Sequence, residues 1–209
     1  MSIKGLQIPY YLLFIIIFPI IFAYPALAES ATGKELKLEN VSYTITDTET
    51  PGVKKYVMEA DLKATPDQVC GIVCDYYNLN TYMPKEFNSK VIKQESNQIT
   101  LDVTLDLPWP FEDLKSILLI DYNKKEGNAK WKLIEGNLKM NQGTIHVEKR
   151  GKYSHMKQVT YLDIGRYYPD WFIKIYSRSL TYKIMRAIRD QIEAQAGAYT
   201  KTQIPVPGK

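Results

Sequence analysis

Hydrophobic positions near the end of the chain recur with a helical period. From Pro169 to about Ala196, apolar residues fall at Phe172, Tyr176, Leu180, Ile184, Ile188 and Ile192, with Ile175 and Ala187 beside them. That spacing predicts one amphipathic helix with a continuous apolar face. Its other side carries Lys174, Arg178, Arg186 and Arg189. A helix of this length runs roughly 40 Å.

The pattern changes to alternation over most of residues 38–165. Val41, Tyr43 and Ile45 alternate with Ser42, Thr44 and Thr46, predicting a strand from Leu38 to Asp47. A turn at Thr50-Pro51-Gly52 leads to a second strand over Val53–Lys63. Thr65-Pro66-Asp67-Gln68 then reads as a helix start, with Thr65 as N-cap, Pro66 at the first helical position and Gln68 as capping-box partner. Val69, Ile72, Val73 and Tyr76 mark its buried face, and Leu79 to Pro84 reads as a second short helix or turn. Strands follow over 91–95, 99–107, 116–122, 129–135, 138–140, 143–149 and 156–164, separated by turn signals such as Lys125-Glu126-Gly127-Asn128. Short turns make an antiparallel meander the simplest sheet, curled around the long helix.

The first segment has a different character. Lys4 is the only charge before Glu29, and Ile8 to Ala23 is almost unbroken apolar sequence. Ala26-Leu27-Ala28 has the small-x-small form of a cleavage site, so residues 1–28 are expected to be a signal peptide cleaved after Ala28. The alternative is an uncleaved anchor, since the run approaches the roughly 20 residues that span a bilayer. Export to the periplasm or exterior follows. Residues 29–37 read as a flexible lead, 38–197 as the domain and 198–209 as a flexible tail. Of 209 residues, 181 remain after cleavage, enough for one domain with a sizeable core. Net charge falls from +4 to +3. That excess is compatible with transient contact at an anionic membrane surface and is too weak to indicate nucleic acid. Sixteen Tyr suit a cavity wall or an interface.

Candidate chemistry is sparse. Cys70 and Cys74 are four apart on a predicted helix. Cβ atoms at that spacing start about 5–6 Å apart, wider than the roughly 3.5–4.5 Å of a bridge. They read as buried thiols, and no nearby His or further Cys completes a metal site. His146 lies in a predicted strand and His155 at a predicted turn, neither with a nucleophile or orienting carboxylate at a telling spacing. Asp61, Asp102, Asp106 and Asp121 read as the wet face of the sheet. No cofactor motif appears. Binding is therefore expected over catalysis.

Several short motifs, in order, resemble one family. They are Ala64-Thr65-Pro66 with Val69 and Asp75-Tyr76, then Met83-Pro84, then Pro108-Trp109-Pro110 with Asp113. Trp131, Gly143 and Thr160-Tyr161 follow, then Tyr168-Pro169 with Trp171-Phe172. Together they resemble the START-like and polyketide cyclase/dehydrase superfamily, and within it the bacterial START-related lipid-transfer domains. The resemblance covers about Val41 to Gln191. It departs near Asp113, where the family's Arg is absent and Leu114-Lys115 follow.

The resemblance implies an α+β helix-grip fold: a curved antiparallel sheet of about six to eight strands wrapped around the C-terminal helix. It also implies an apolar space between them. The expected wall is Trp131 and Met140 on the sheet, with Phe172, Ile175, Tyr176, Leu180 and Ile184 on the helix. Ser179 and Lys183 beside the stripe are expected polar handles, and Pro108, Trp109 and Pro110 a lid or portal. The partner is then a hydrophobic, lipid-like small molecule, with no cofactor or metal. A cyclase or aromatase acting on a polyketide-like substrate, or an envelope interaction module with a filled core, are the alternatives.

Overall fold

A computed structural model describes residues 41–166 and 168–202, with side chains through residue 195. The expected signal peptide, the lead and the last residues of the tail lie outside the described residues. Among the described residues eight strands form one antiparallel sheet: β1 (Val41–Asp47), β2 (Lys54–Leu62), β3 (Phe87–Glu95), β4 (Gln98–Leu105), β5 (Leu114–Asn123), β6 (Asn128–Gly136), β7 (Met140–Arg150) and β8 (Tyr153–Asp163). Among the described residues three helices accompany them: α1 (Pro66–Val73), α2 (Leu79–Tyr82) and α3 (Asp170–Thr202). This is the expected helix-grip arrangement. α3 runs past the tail boundary expected at 198.

The strand order is β1-β2-β8-β7-β6-β5-β4-β3. The meander expected from the short turns holds from β3 to β8 and breaks after β2. There α1 and α2 carry the chain to the far edge of the sheet, and β8 returns to pair with β2. The segments predicted at 138–140 and 143–149 form one strand in place of two, beginning at Met140.

Local chemistry sets these elements. Gln68 N–H donates to Thr65 Oγ1 (3.3 Å) and Thr65 N–H donates to Gln68 Oε1 (2.9 Å), closing the predicted capping box. Val69, Cys70, Ile72 and Val73 bury the inner face of α1. Thr65→Ala removes half of that box and is expected to cost about 1 kcal/mol, read as a lower urea midpoint with an unchanged slope. Tyr82 OH donates to the Ile72 carbonyl (2.9 Å), pinning α2 to the end of α1.

Register slips at two places curve the sheet. Val91 pairs Leu101 while Lys93 pairs Thr100, leaving Ile92 as the extra residue. Ile117 pairs Glu135 while Leu118 pairs Leu133, leaving Ile134 as the extra one. An inserted residue bends its strand and increases the local twist. Both bulged isoleucines are exposed. The start of α3 is tied to the sheet by Lys54, whose ammonium lies 2.8 Å from Asp47 and 3.5 Å from Asp170.

The core falls into three clusters. One joins α1, the later half of α3 and β2, β7 and β8, through residues such as Leu62, Val69, Ile72, Met156 and Met185. A second joins α2 to β4, β5 and β6 through Leu79, Ile99, Leu101, Leu118, Ile120 and Ala129. A third packs Leu114, Leu138, Tyr168 and Phe172 around the start of α3.

Candidate functional site

Between the concave face of the sheet and α3 lies a space of about 380 Å³. Members of all three clusters line it, Met58 and Met156 from the first, Leu118 and Ala129 from the second, Leu138 and Phe172 from the third. The space therefore sits where the clusters fail to meet. Its volume lies within the roughly 300–1,000 Å³ range of small-molecule sites.

Strand parity decides which side chains reach it. Of the residues expected as a wall, Trp131, Phe172, Tyr176, Leu180 and Ile184 line the space. Met140 does not. In β7 the inward residues are Asn141, Ile145 and Val147, which puts Met140 on the opposite side, and Leu138 and Asn141 supply that part of the wall. Ile175 is also misplaced by the sequence reading, being 57% exposed and outside the wall. Ser179 and Lys183 are outside it too. The inward face of α3 is centred on Ile173, Ser177 and Thr181, with Phe172, Tyr176, Leu180 and Ile184 at its flank. Polar Ser177 and Thr181 at the centre shift the face that hydropathy predicts to one flank of the true one. Lys183 instead ion-pairs with Glu86 at the surface. Burial pushes the Glu86 carboxyl upward, but the Lys183 contact, a backbone hydrogen bond and the nearby Lys85 charge together hold it below its ordinary range.

Pro108-Trp109-Pro110 forms the turn between β4 and β5. Trp109 is 78% exposed and stands outside the wall, while Leu107 before it lines the space. This loop is fastened to α3. Phe111 packs at a tilt against Phe172, with ring centroids 3.9 Å apart, and against Tyr168 at 5.2 Å. Tyr176 OH donates to the Asp106 carbonyl (2.6 Å) and Tyr168 OH to the Glu112 carbonyl (3.2 Å).

Trp131 is held in a fixed pose. Its Nε1–H donates to Asn141 Oδ1 (3.0 Å), and Asn141 Nδ2–H donates to Ser116 Oγ (3.4 Å). The indole lies across the neighbouring strand at Gly143. A Cβ there would meet Trp131 Cζ2 at 2.4 Å and the Val159 carbonyl oxygen at 2.2 Å. Glycine is what allows the ring to lie flat against the sheet.

Among the described residues, the wall contains no Asp, Glu, His, Lys or Arg. Its titratable groups are tyrosines. Burial pushes the Tyr56 phenol up to about 12, and pushes Tyr43, Tyr76 and Tyr176 upward as well. These phenols stay protonated at neutral pH. Below the ordinary phenol value of 10.0, Tyr56 is neutral in both folded and unfolded chains. Above it only the unfolded chain ionises freely, so the stability contributed by the neutral phenol is lost as pH rises toward about 12. The melting temperature is therefore expected to fall steadily across that window. Tyrosinate absorbance should show a late-titrating class of phenols released on unfolding.

The remaining titratable side chains singled out in the sequence lie away from this space. His155 is in β8, not in a turn, and its Nδ1 is 2.8 Å from Asp61 Oδ1 on the convex face, where Arg150 also approaches Asp61 (3.9 Å). His146 is on the same face beside Glu148 (3.9 Å). Cys70 and Cys74 are buried free thiols, and burial pushes both upward, Cys70 to about 11. No group of three or more metal-ligating side chains occurs among the described residues. Nor is any helix among them long and apolar enough to cross a membrane.

No protein-family model matches the sequence, and comparison with curated proteins finds no match. Solved structures do match. A STAR-related lipid transfer protein from Xanthomonas axonopodis aligns over 74% of this chain and 99% of its own, with 15% identity and a TM-score of 0.59. The Zhui aromatase/cyclase from Streptomyces sp. R1128 aligns over 69% and 96%, with 10% identity and a TM-score of 0.57. A START superfamily protein from Mycobacterium smegmatis aligns over 68% and 98%, with 13% identity and a TM-score of 0.56. The chain thus has the helix-grip fold shared by START-like and polyketide cyclase domains. At these identities the likeness is one of fold.

Proposed function

We propose that this protein is an exported carrier that holds a hydrophobic, lipid-like small molecule between its sheet and α3. The observation that carries the reading is the wall itself. A space of about 380 Å³, lined mainly by apolar and aromatic side chains and free of charged groups among the described residues, suits an apolar guest. Export is supported by the apolar stretch and the small-x-small site within residues 1–28, expected of a cleaved leader, and a periplasmic or extracellular carrier is the reading that follows.

The likeness to an aromatase/cyclase raises a second reading, turnover of a polyketide-like substrate. Such chemistry draws on an acid or base poised near neutral pH within reach of the substrate. The titratable side chains of the wall are tyrosines that burial makes weaker acids, which supports binding over turnover. An interaction module with a filled core fits poorly with a space of this size.

Native mass spectrometry tests the proposal. The mature chain, purified without detergent, is expected to carry one hydrophobic adduct or to take up one equivalent from a lipid extract. A protein that is empty and stays empty would contradict it.

A further inference from the structure

The space is not uniformly oily. On the side of β3, β4 and β5, the wall residues are hydrocarbon or phenyl apart from Ser116, whose hydroxyl accepts from Asn141. On the side of β2, β8 and α3, polar uncharged groups gather: Tyr56, Gln158, Thr160, Ser177 and Thr181. The register brings the sheet members together. Tyr56 pairs with Thr160 across β2 and β8, and Gln158 is two residues before Thr160 on the same inward row. Ser177 is internally satisfied, donating to the Ile173 carbonyl.

Gln158 and Thr160 are only partly satisfied. Gln158 Nε2–H donates to Thr160 Oγ1 (3.3 Å). A hydroxyl that accepts still has its own proton to donate, and a primary amide retains a second N–H and a carbonyl oxygen. One wall thus offers a donor-rich pair at the floor of an apolar chamber. Among the described residues lining the space, no cation is present to receive an anionic group and no carboxylate to receive a cation. Burying an ionised group there without a partner is costly, whereas a hydroxyl or carbonyl finds its hydrogen bonds.

We infer that the guest is electrically neutral and carries a hydroxyl or carbonyl oxygen that docks on Gln158 and Thr160, with its hydrocarbon against β3–β5. This rests on the carrier reading and narrows its ligand class. Neutral lipids with one oxygen function are accepted. Carboxylates and phosphate esters enter poorly, because their charged end has no counterpart inside.

The test is displacement of Nile red, an uncharged dye, by three guests of equal chain length at pH 8: 1-dodecanol, dodecanoate and dodecane. 1-Dodecanol is expected to bind at least tenfold more tightly than dodecanoate and several-fold more tightly than dodecane. Gln158→Leu and Thr160→Val, each checked for a wild-type circular dichroism spectrum, are expected to erase the advantage of the alcohol over the alkane, read as the ratio of the two affinities within each variant. Dodecanoate binding as well as the alcohol would overturn the inference, as would an unchanged alcohol-to-alkane ratio in both folded variants. The carrier reading would survive either result. Failure of the dye and all three guests to bind would remove the carrier reading and this inference with it.

Discussion

Gly143→Ala is expected to produce the largest single loss of stability proposed for this protein. The added methyl cannot be absorbed by a side-chain rotation. It would fall 2.2 Å from the Val159 carbonyl oxygen and 2.4 Å from the Trp131 ring, so both the β7–β8 ladder and the indole must move. Overpacking a close-fitted core site costs roughly 1–3 kcal/mol. Losing the Trp131–Asn141 hydrogen bond, with both groups left in the interior, adds on the order of 1 kcal/mol. A loss of about 2–4 kcal/mol is therefore expected in urea unfolding. Trp131 lines the space under α3, so its fluorescence should shift and guest binding should weaken in parallel. Wild-type stability with an unmoved Trp131 signal would show that the ring does not rest on Gly143.

The second large effect is on binding alone. Ala129 lies on β6 between Tyr122 and Ile145 of the neighbouring strands, and its methyl faces the space. Ala129→Phe puts an apolar, strand-favouring residue at that place and projects a ring into the space a guest would occupy. Affinity for 1-dodecanol is expected to fall about a hundredfold, equivalent to roughly 2.8 kcal/mol. Stability should change little, because the new ring fills empty volume in place of displacing packed atoms. A folded variant that binds as tightly as the wild type would locate the guest elsewhere.

Much of the fold could be read from the chain, and the reasons are local. The Thr65–Gln68 capping box works through neighbours in sequence, so four residues announced α1. Ile99, Leu101, Val103 and Leu105 alternate with polar residues because one face of β4 meets the core and the other meets water. Such contrast is what periodicity detects. The order of the sheet was less visible. Pairing of β2 with β8 is set by residues about a hundred positions apart, and no local signal encodes it.

The site was legible only in its apolar half. Phe172, Tyr176, Leu180 and Ile184 were found because they are greasy and helically spaced. Ser177 and Thr181 were missed for the opposite reason: they are polar and face inward. Ile175 is apolar and faces water, which pulled the expected face of α3 away from its true centre. On β8, inward Gln158 and Thr160 alternate with outward Val159 and Tyr161, so hydropathy carries no parity there. A partly polar cavity erases the contrast that would reveal it. Met140 was misassigned because β7 was divided in two. Over Met140–Arg150 as one strand, with Val147 buried, the odd-numbered residues face inward, Asn141 among them.

The methionine methyls give the most direct test of a guest between the sheet and α3. Met58, Met83 and Met156 line that space, while Met140 and Met185 do not. Methyl NMR of the [13C]methionine-labelled protein, titrated with 1-dodecanol, should therefore shift the first three resonances together to saturation at one equivalent and leave Met140 unmoved. Saturable binding that shifts Met140 and spares Met58, Met83 and Met156 would place the guest outside the fold's interior and contradict the account.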